Sequence, residues 1–451
     1  MRRFQHVAMA ITLSVSMYLP AVADTEKGDT SRLYLATAVE HALARHPSVG
    51  LAKARSDEAR ASVREAFAPW FPALQLGATA MRYEKPMLVY PLHGLDFSEL
   101  PRFEKTLLQA GLTLDFTLFD AARGARIRRA RQQWRATDAS LDAAQQALVA
   151  RVIATYLSVL TKHEILSAHD QRLAALESEM GRVRQLQQAG RAADVEVLRV
   201  EAALSGAQAD RVHLASALDL AESDLGRLID PPSGQVHSAQ LVPVVPMDTP
   251  VITRDSTVSL ALASSPSILQ AQRQSEAAQA GRAVARGARW PTLRGTGAYV
   301  DRGASEGAFK AEWNAGVVLS YPVFTGGAVR NAVARADAAN RSAAEQLRLA
   351  GIQLAEDVDR ALSALAESRA RAKSLSVAVE RFAEVARIEK LSLEAGARTQ
   401  TDYLRAEADL LSARASLAEA HHAEIVSRTE MARITGQLNS SWIARSLENK
   451  Q

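Results

Sequence analysis

The side chains that could do chemistry are few and poorly placed for it. His421-His422 and the pair His163 and His169 lack metal-ligand spacing with an acidic third partner, so they read as surface or packing histidines. Gly326-Gly327 is followed by no phosphate-loop lysine and serine. The absence of cysteine excludes disulfides, thiolate metal sites and a thiol nucleophile. No nucleophile and base form a constellation, so the expectation is no enzyme, no metal and no cofactor. Two glycines, Gly190 and Gly396, have charged residues close by. Arg398 and Asp402 follow Gly396 and stand four residues apart, close enough to pair on a helical turn, with Arg405 just beyond. Glu196 stands in the same relation to Gly190 as Asp402 does to Gly396. Glycine relieves the left-handed conformation that commonly ends a helix, so both sites predict tight turns.

The elements around these turns are long. The sequence is rich in Ala, Leu, Arg, Glu and Gln, with 5% aromatics, 15 prolines and 23 glycines in 451 residues, the makeup of extended helices. Its 54 basic and 50 acidic residues are spread along the chain, which leaves no nucleic-acid footprint. Arg2 and Arg3, the apolar run Ala8 to Leu19 and Ala21-Val22-Ala23 predict a secretory signal peptide over residues 1–23, with the mature chain beginning at Asp24. With no cysteine near residue 23, the usual lipid attachment point of a bacterial lipoprotein is missing. No later apolar segment of about 20 residues is expected to span a bilayer as a helix, so a membrane crossing would require a β-barrel.

The chain states one pattern twice. His46-Pro47-Ser48 recurs as Ser265-Pro266-Ser267, and Trp70-Phe71-Pro72-Ala73-Leu74 as Arg289-Trp290-Pro291-Thr292-Leu293, both 219 residues on. Leu118-Phe119-Asp120 recurs as Val323-Phe324-Thr325 after 205 residues, and Ala189-Gly190 as Ala395-Gly396 after 206. The offset changes between the strand segments, where a shorter loop in the second copy accounts for it. Each copy predicts a helix (Leu33 to Ala68; Val258 to Ala288), a proline junction at Pro72 or Pro291, and two strands around a polar loop. A long helix (Ala121 to Gln188; Ala328 to Glu394), a glycine turn and a return helix to Leu228 or Ile434 follow. The predicted divisions are residues 24–230 and 258–438 for the two repeats, 231–257 for a Pro-rich linker at the equator, and 439–451 for a tail. A helix of some 67 residues is about 100 Å long, more than a globular domain can bury. Two shorter helices stacked end to end can run alongside it. Heptad-like steps at Val149, Ile153, Tyr156 and Leu160, and at Leu354, Val358, Ala361 and Leu365, support lateral packing.

Strand periodicity sets the compartment. Ala110, Leu112, Leu114, Phe116 and Leu118 alternate with Gln109, Gly111, Thr113, Asp115 and Thr117. Trp313, Ala315, Val317, Leu319 and Tyr321 form a second apolar face, with Trp313 and Tyr321 roughly 27 Å apart at about 3.4 Å per residue. Aromatics bounding an apolar stripe opposite a polar face suit a transmembrane barrel, whose lipid interfaces they occupy. The segments Leu74 to Tyr83 and Leu293 to Val300 are diluted by Gly and Ala. Four strands cannot close a barrel, and lipid forbids an open edge, so several copies must share one. The polar loops Arg82 to Lys105 and Asp301 to Lys310 would then face outward from the cell, with the helices in the periplasm.

Together these features resemble the TolC-type outer-membrane efflux channel family over essentially the whole mature chain. They are the paired repeats, the Pro72 and Pro291 junctions, and Leu118-Phe119-Asp120-Ala121 and Phe324-Thr325-Gly326-Gly327 opening the long helices. The turn motifs Gly190-Arg191 to Leu198 and Gly396 to Leu404 complete the set. The resemblance implies an α+β membrane protein: a homotrimer whose protomers each give four strands to a shared 12-stranded β-barrel. A coiled-coil barrel of long helices would continue it across the periplasm, docking a periplasmic adaptor and an inner-membrane pump of RND, ABC or MFS type. The implied function is passive export, as the exit duct of a tripartite efflux or type I secretion system. In that family an arginine and acidic residues of the second turn constrict the periplasmic entrance; Arg398 and Asp402 match them, whereas Arg405 occupies a position that is acidic in some members. Glu196 is the first-copy equivalent of Asp402. A periplasmic helical adaptor or scaffold with a soluble sheet is the alternative. The cargo, whether drugs, metal ions or polypeptides, is not written in the sequence, because the pump selects it.

Overall fold

The computed structural model describes residues 32–89, 103–230, 236–237, 241–247, 253–304 and 309–449. The expected signal peptide and parts of the linker, outer loops and tail lie outside these residues.

The helix expected before each hairpin is two helices. In the first repeat these are α1 (Leu35–Arg45) and α2 (Pro47–Phe67), in the second α5 (Arg254–Ser264) and α6 (Pro266–Gly287). The break is local chemistry. A residue before proline is pushed out of the helical region, and His46 (φ −71°, ψ 129°) and Ser265 (φ −62°, ψ 127°) are both extended. Pro47 and Pro266 then open the next helix, where a missing N–H costs nothing.

The long helices are α3 (Arg123–Gln188) and α7 (Ala328–Glu394), and the return helices α4 (Asp194–Ile229) and α8 (Gln400–Ile434). Below the middle, α3 runs beside α4 and α8, and α7 beside α8; above it, α3 packs on α2 and α6, and α7 on α6. Short helices thus line the upper half of each long one and return helices the lower half. Val149, Ile153, Tyr156 and Leu160 are buried, as are Leu354, Val358 and Ala361, while Leu365 is half-buried.

The main core sits at the level of the linker. Leu35 and Val39 of α1, Val152, Ile153 and Leu157 of α3, Leu225 of α4 and Ile425 of α8 meet there. The middle of α3 is apolar enough by length and composition to resemble a membrane span, contrary to expectation from the sequence. Its apolar side chains are consumed by this core, wrapped by α1, α4 and α8. Residues 439–449, within the segment expected as a tail, fold back: α9 (Ser440–Ser446) buries Ile443, and β6 (Leu447–Asn449) pairs antiparallel with linker strand β3 (Val244–Pro246).

A four-stranded sheet caps one end. Its strands are β1 (Ala73–Leu88), β2 (Phe103–Phe119), β4 (Thr292–Ala304) and β5 (Lys310–Ser320), in the order β1-β2-β4-β5 with every neighbouring pair antiparallel. The strands run further than the periodicity indicated. They enter both segments read as polar loops, with a register shift between Arg82 and Met87. Polar residues end a strand in water but not where neighbouring strands hold the backbone extended.

Candidate functional site

Pairing register assembles the strand faces. Leu112 stands between Leu76 and Tyr299, Tyr299 beside Trp313, and Leu114 beside Leu74; Gly295 and Leu293 stand opposite Val317 and Leu319. Strand alternation therefore gathers Leu74, Leu76, Leu112, Leu114, Tyr299, Trp313, Val317 and Leu319 on one face. The other face carries Gln75, Thr79, Thr113, Asp115, Arg302, Glu312 and Asn314, with Arg302 and Glu312 paired at 3.1 Å. The apolar face is uncovered. Leu76 is 79% exposed, Trp313 77% and Leu319 68%, in one contiguous surface that water would penalise. Strands β1 and β5 each leave one edge unpaired within the described residues.

The sheet ends at two junctions rich in exposed aromatics. Pro72 follows the 3₁₀ turn Ala68–Trp70, and Pro291 lies between α6 and β4. Trp70, Phe71, Trp290, Tyr321 and Phe324 are all exposed at these junctions. Arg123, 7% exposed, stacks 4.5 Å from the Trp70 ring and donates to the Thr117 carbonyl, tying α3 to the sheet. Tyr321 lies just beyond β5, and Trp313 lies within it beside Tyr299. Sequence periodicity missed Tyr299, because strand pairing alone brings it to Trp313.

At the far end, both long helices stop in the same way. Gly190 (φ 69°) and Gly396 (φ 74°) are left-handed. Arg191 N–H bonds the Leu186 carbonyl at 2.7 Å, and Ala397 N–H the Ser392 carbonyl at 2.8 Å. This is a Schellman closure, which satisfies the last carbonyls and lets the chain reverse in a few residues. Glu196, in the first turn of α4, is half-buried, whereas Arg398 and Arg405 are exposed.

The second turn differs from the expected ion pair. Asp402 is engaged by Thr399, whose amide and hydroxyl both bond its carboxylate, at 3.2 and 2.7 Å. The Asp402 amide returns a bond to Thr399 Oγ1 at 3.3 Å, forming a capping box. Arg398 instead approaches Glu389 of α7 at 3.7 Å. The i,i+4 rule failed because α8 begins at Gln400, which leaves Arg398 outside the helix. The Asp402 carboxyl is held below its usual range by the Thr399 bonds first, then by Arg398 and Arg405. The two tips touch. Arg199 donates to Thr401 at 3.4 Å, and Leu404 packs against Val183 and Val200. Tyr403 is buried beside it, its hydroxyl pushed up to about 12 by burial, with Glu407 adding to the shift.

Polar locks missed by the sequence lie at the equator. Buried Tyr156 reaches the carbonyls of Leu33 and Val242, both at 2.8 Å, and accepts the Val242 amide at 2.9 Å. Glu424 accepts from Arg369 and Arg428, each at 3.0 Å, and Arg428 also donates to the linker carbonyl of Met247. Apart from the Glu424–Arg428 pair, four residues apart on α8, these contacts join residues tens to hundreds of positions apart and so leave no local sequence signal. The histidines remain scattered. His422 bonds Thr161 of α3, His169 is buried 3.9 Å from Asp210, and among the described residues no group of three His, Asp or Glu converges as a metal site.

A family model described as outer membrane efflux protein matches residues 38–229 and 257–437. A curated relative, the outer membrane efflux protein BepC of Brucella suis biovar 1 (strain 1330), is 24% identical over 308 residues, 66% of this chain; the match spans 64% of that protein's length. Among solved structures, a membrane protein from Pseudomonas aeruginosa superposes with a TM-score of 0.74 at 23% identity, covering 94% of this chain and 97% of that one. The outer membrane protein VceC of Vibrio cholerae gives 0.72 at 18% identity, covering 89% and 96%. The CmeC outer membrane channel of Campylobacter jejuni gives 0.75 at 17%, covering 91% and 88%. These structures share the fold.

Proposed function

Because the chain belongs to the outer membrane efflux protein family, we propose that it is one protomer of a trimeric channel that forms the exit duct of a tripartite export system. The four-stranded sheet carries this reading. Its leucines and aromatics face outward without cover, and its polar face holds Arg302, Glu312, Asp115 and Thr113. Because each neighbouring pair is antiparallel, β1 and β5 run in opposite directions. The β5 edge of one copy can therefore pair antiparallel with the β1 edge of the next. Three copies close a 12-stranded barrel in which no edge meets lipid and the polar faces line a wet lumen. A soluble scaffold would leave that apolar face in water.

The helices extend the lumen as a coiled-coil duct, and the paired turns at Gly190 and Gly396 form its periplasmic entrance. Arg398, Asp402, Arg405 and Glu196 set the charge there, and a periplasmic adaptor and an inner-membrane pump of RND, ABC or MFS type engage and open it. Transport is passive: the chain offers a path and lowers no chemical barrier. Its lack of cysteine makes the ring testable. Single cysteines stepped along β1, each combined with one at Asn314 of β5, are expected to oxidise at one register into covalent oligomers of up to three chains. Monomers at every position would contradict the shared barrel.

A further inference from the structure

The corners where α2 and α6 meet the sheet are built from different residue types at equivalent places. In the first repeat, Phe67 and Trp70 end the short helix and α3 covers them with cations: Arg131 lies 5.2 Å from the Phe67 ring and Arg123 4.5 Å from Trp70. The 219-residue offset puts Arg286 and Arg289 at the places of Phe67 and Trp70, and the 205-residue offset puts Ala328 and Ala336 at those of Arg123 and Arg131. The second corner therefore has its cations at and just beyond the end of α6, and α7 brings Val333 and Asp337 to it in place of arginines. It is an open groove of about 910 Å³ lined by Arg286, Arg289, Trp290, Leu319, Tyr321 and Asp337.

Charge in the groove is unbalanced. Asp337 contacts Arg282 and lies 3.9 Å from Arg286, while the Arg289 side chain has no partner among the described residues. Beside these cations, Trp290 and Tyr321 are 62% and 59% exposed. Leu319 belongs to the apolar strand face and leads upward to Val317. A guanidinium pair fits phosphate oxygens, aromatic rings favour the level of lipid headgroups, and a leucine stripe suits an acyl chain. A small water-soluble anion would use only the arginines.

We propose that this corner is a headgroup site for an anionic phospholipid, with the phosphate between Arg286 and Arg289, the glycerol region against Trp290 and Tyr321, and an acyl chain along Leu319 and Val317. The assignment rests on the barrel reading above, which places that strand face in lipid. It gives each protomer one site, at the second corner.

The test reconstitutes the full chain into nanodiscs of phosphatidylethanolamine containing a minor share of phosphatidylglycerol and measures retained lipid by native mass spectrometry. Phosphatidylglycerol should be enriched several-fold over its bulk share. R286Q/R289Q should abolish the enrichment, R129Q/R335Q should leave it, and D337N should raise it by freeing guanidinium. Excess inorganic phosphate should not strip the lipid. Equal retention of both lipids by wild type, enrichment surviving R286Q/R289Q, or displacement by inorganic phosphate alone would overturn the site while leaving the channel intact. A chain that never enters the bilayer would overturn the barrel reading, and the site with it.

Discussion

Thr399 and Asp402 close a reciprocal hydrogen-bonded ring at the start of α8, with the carboxylate taken by the Thr399 amide and hydroxyl and the Asp402 amide bound to Thr399 Oγ1. The turn at the second tip is thus secured by backbone capping and not by charge alone. Thr399→Ala is expected to cost about 1 kcal/mol of local stability, the usual worth of such a cap. Hydrogen exchange over residues 400–404 should quicken. The Asp402 carboxyl titrates below its usual range, so its contribution is present at neutral pH and is lost as pH falls through that lowered value. Unchanged exchange in Thr399→Ala would remove the cap from the account.

Arg398 is expected to couple to Glu389 more strongly than to Asp402. With Arg398 at 3.7 Å from Glu389, Arg398→Ala and Glu389→Gln should be the more non-additive pair in resting leak, while Arg398→Ala and Asp402→Ala, linked only by a through-space attraction, should come closer to adding. Glu389 is half-buried but Arg398 is exposed, so solvent screens the pair and the coupling is expected to be on the order of 1 kcal/mol. Replacing Arg398 and Asp402 together should raise resting conductance or antibiotic leakage; a silent double variant would move the constriction to other tip residues.

Tyr156 fastens the linker to the middle of α3. Tyr156→Phe keeps the ring but removes the hydroxyl from the Leu33 and Val242 carbonyls; the Val242 amide still reaches the Leu33 carbonyl at 3.2 Å, so the cost is about 1 kcal/mol. The melting temperature should fall and the linker should become easier to cleave with protease. A variant as protease-resistant as wild type would show that the β3 and β6 pairing holds the linker unaided.

His422 should make stability pH-dependent. Burial, with His421 adding to it, lowers its pKa from 6.5 to about 4, so the folded state resists a proton that the unfolded chain accepts. Stability is therefore full above the unfolded value and declines as pH falls from about 6.5 toward 4. Thr161 donates to the Leu157 carbonyl at 2.9 Å, which leaves its oxygen to accept from His422 Nδ1. In His422→Gln, thermal melts across this window should flatten; an unaltered slope would assign it to other groups.

Much of this architecture was legible because it repeats. The glycine turns, the long helices and the period-two strands are local patterns, and the doubled prolines located the junctions. The split at His46 and Ser265 was also written in the sequence, in the steric demand of Pro47 and Pro266, but helical periodicity on both sides masked it. Other features depend on residues far apart in the chain. Arg428 meets Met247, Tyr156 meets Leu33, and residues 447–449 pair with 244–246 only after the return helices have brought them together. At the tip, spacing predicted the wrong partner for Arg398, because Arg398 precedes the helix whose geometry the spacing assumed.

The central claim is that copies of this chain enclose a water-filled path, and planar bilayer recording of the purified, reconstituted protein tests it most directly. The account predicts a species of three chains that inserts and carries discrete ionic currents, larger at rest in the Arg398→Ala, Asp402→Ala variant. A monomer that conducts nothing would contradict it.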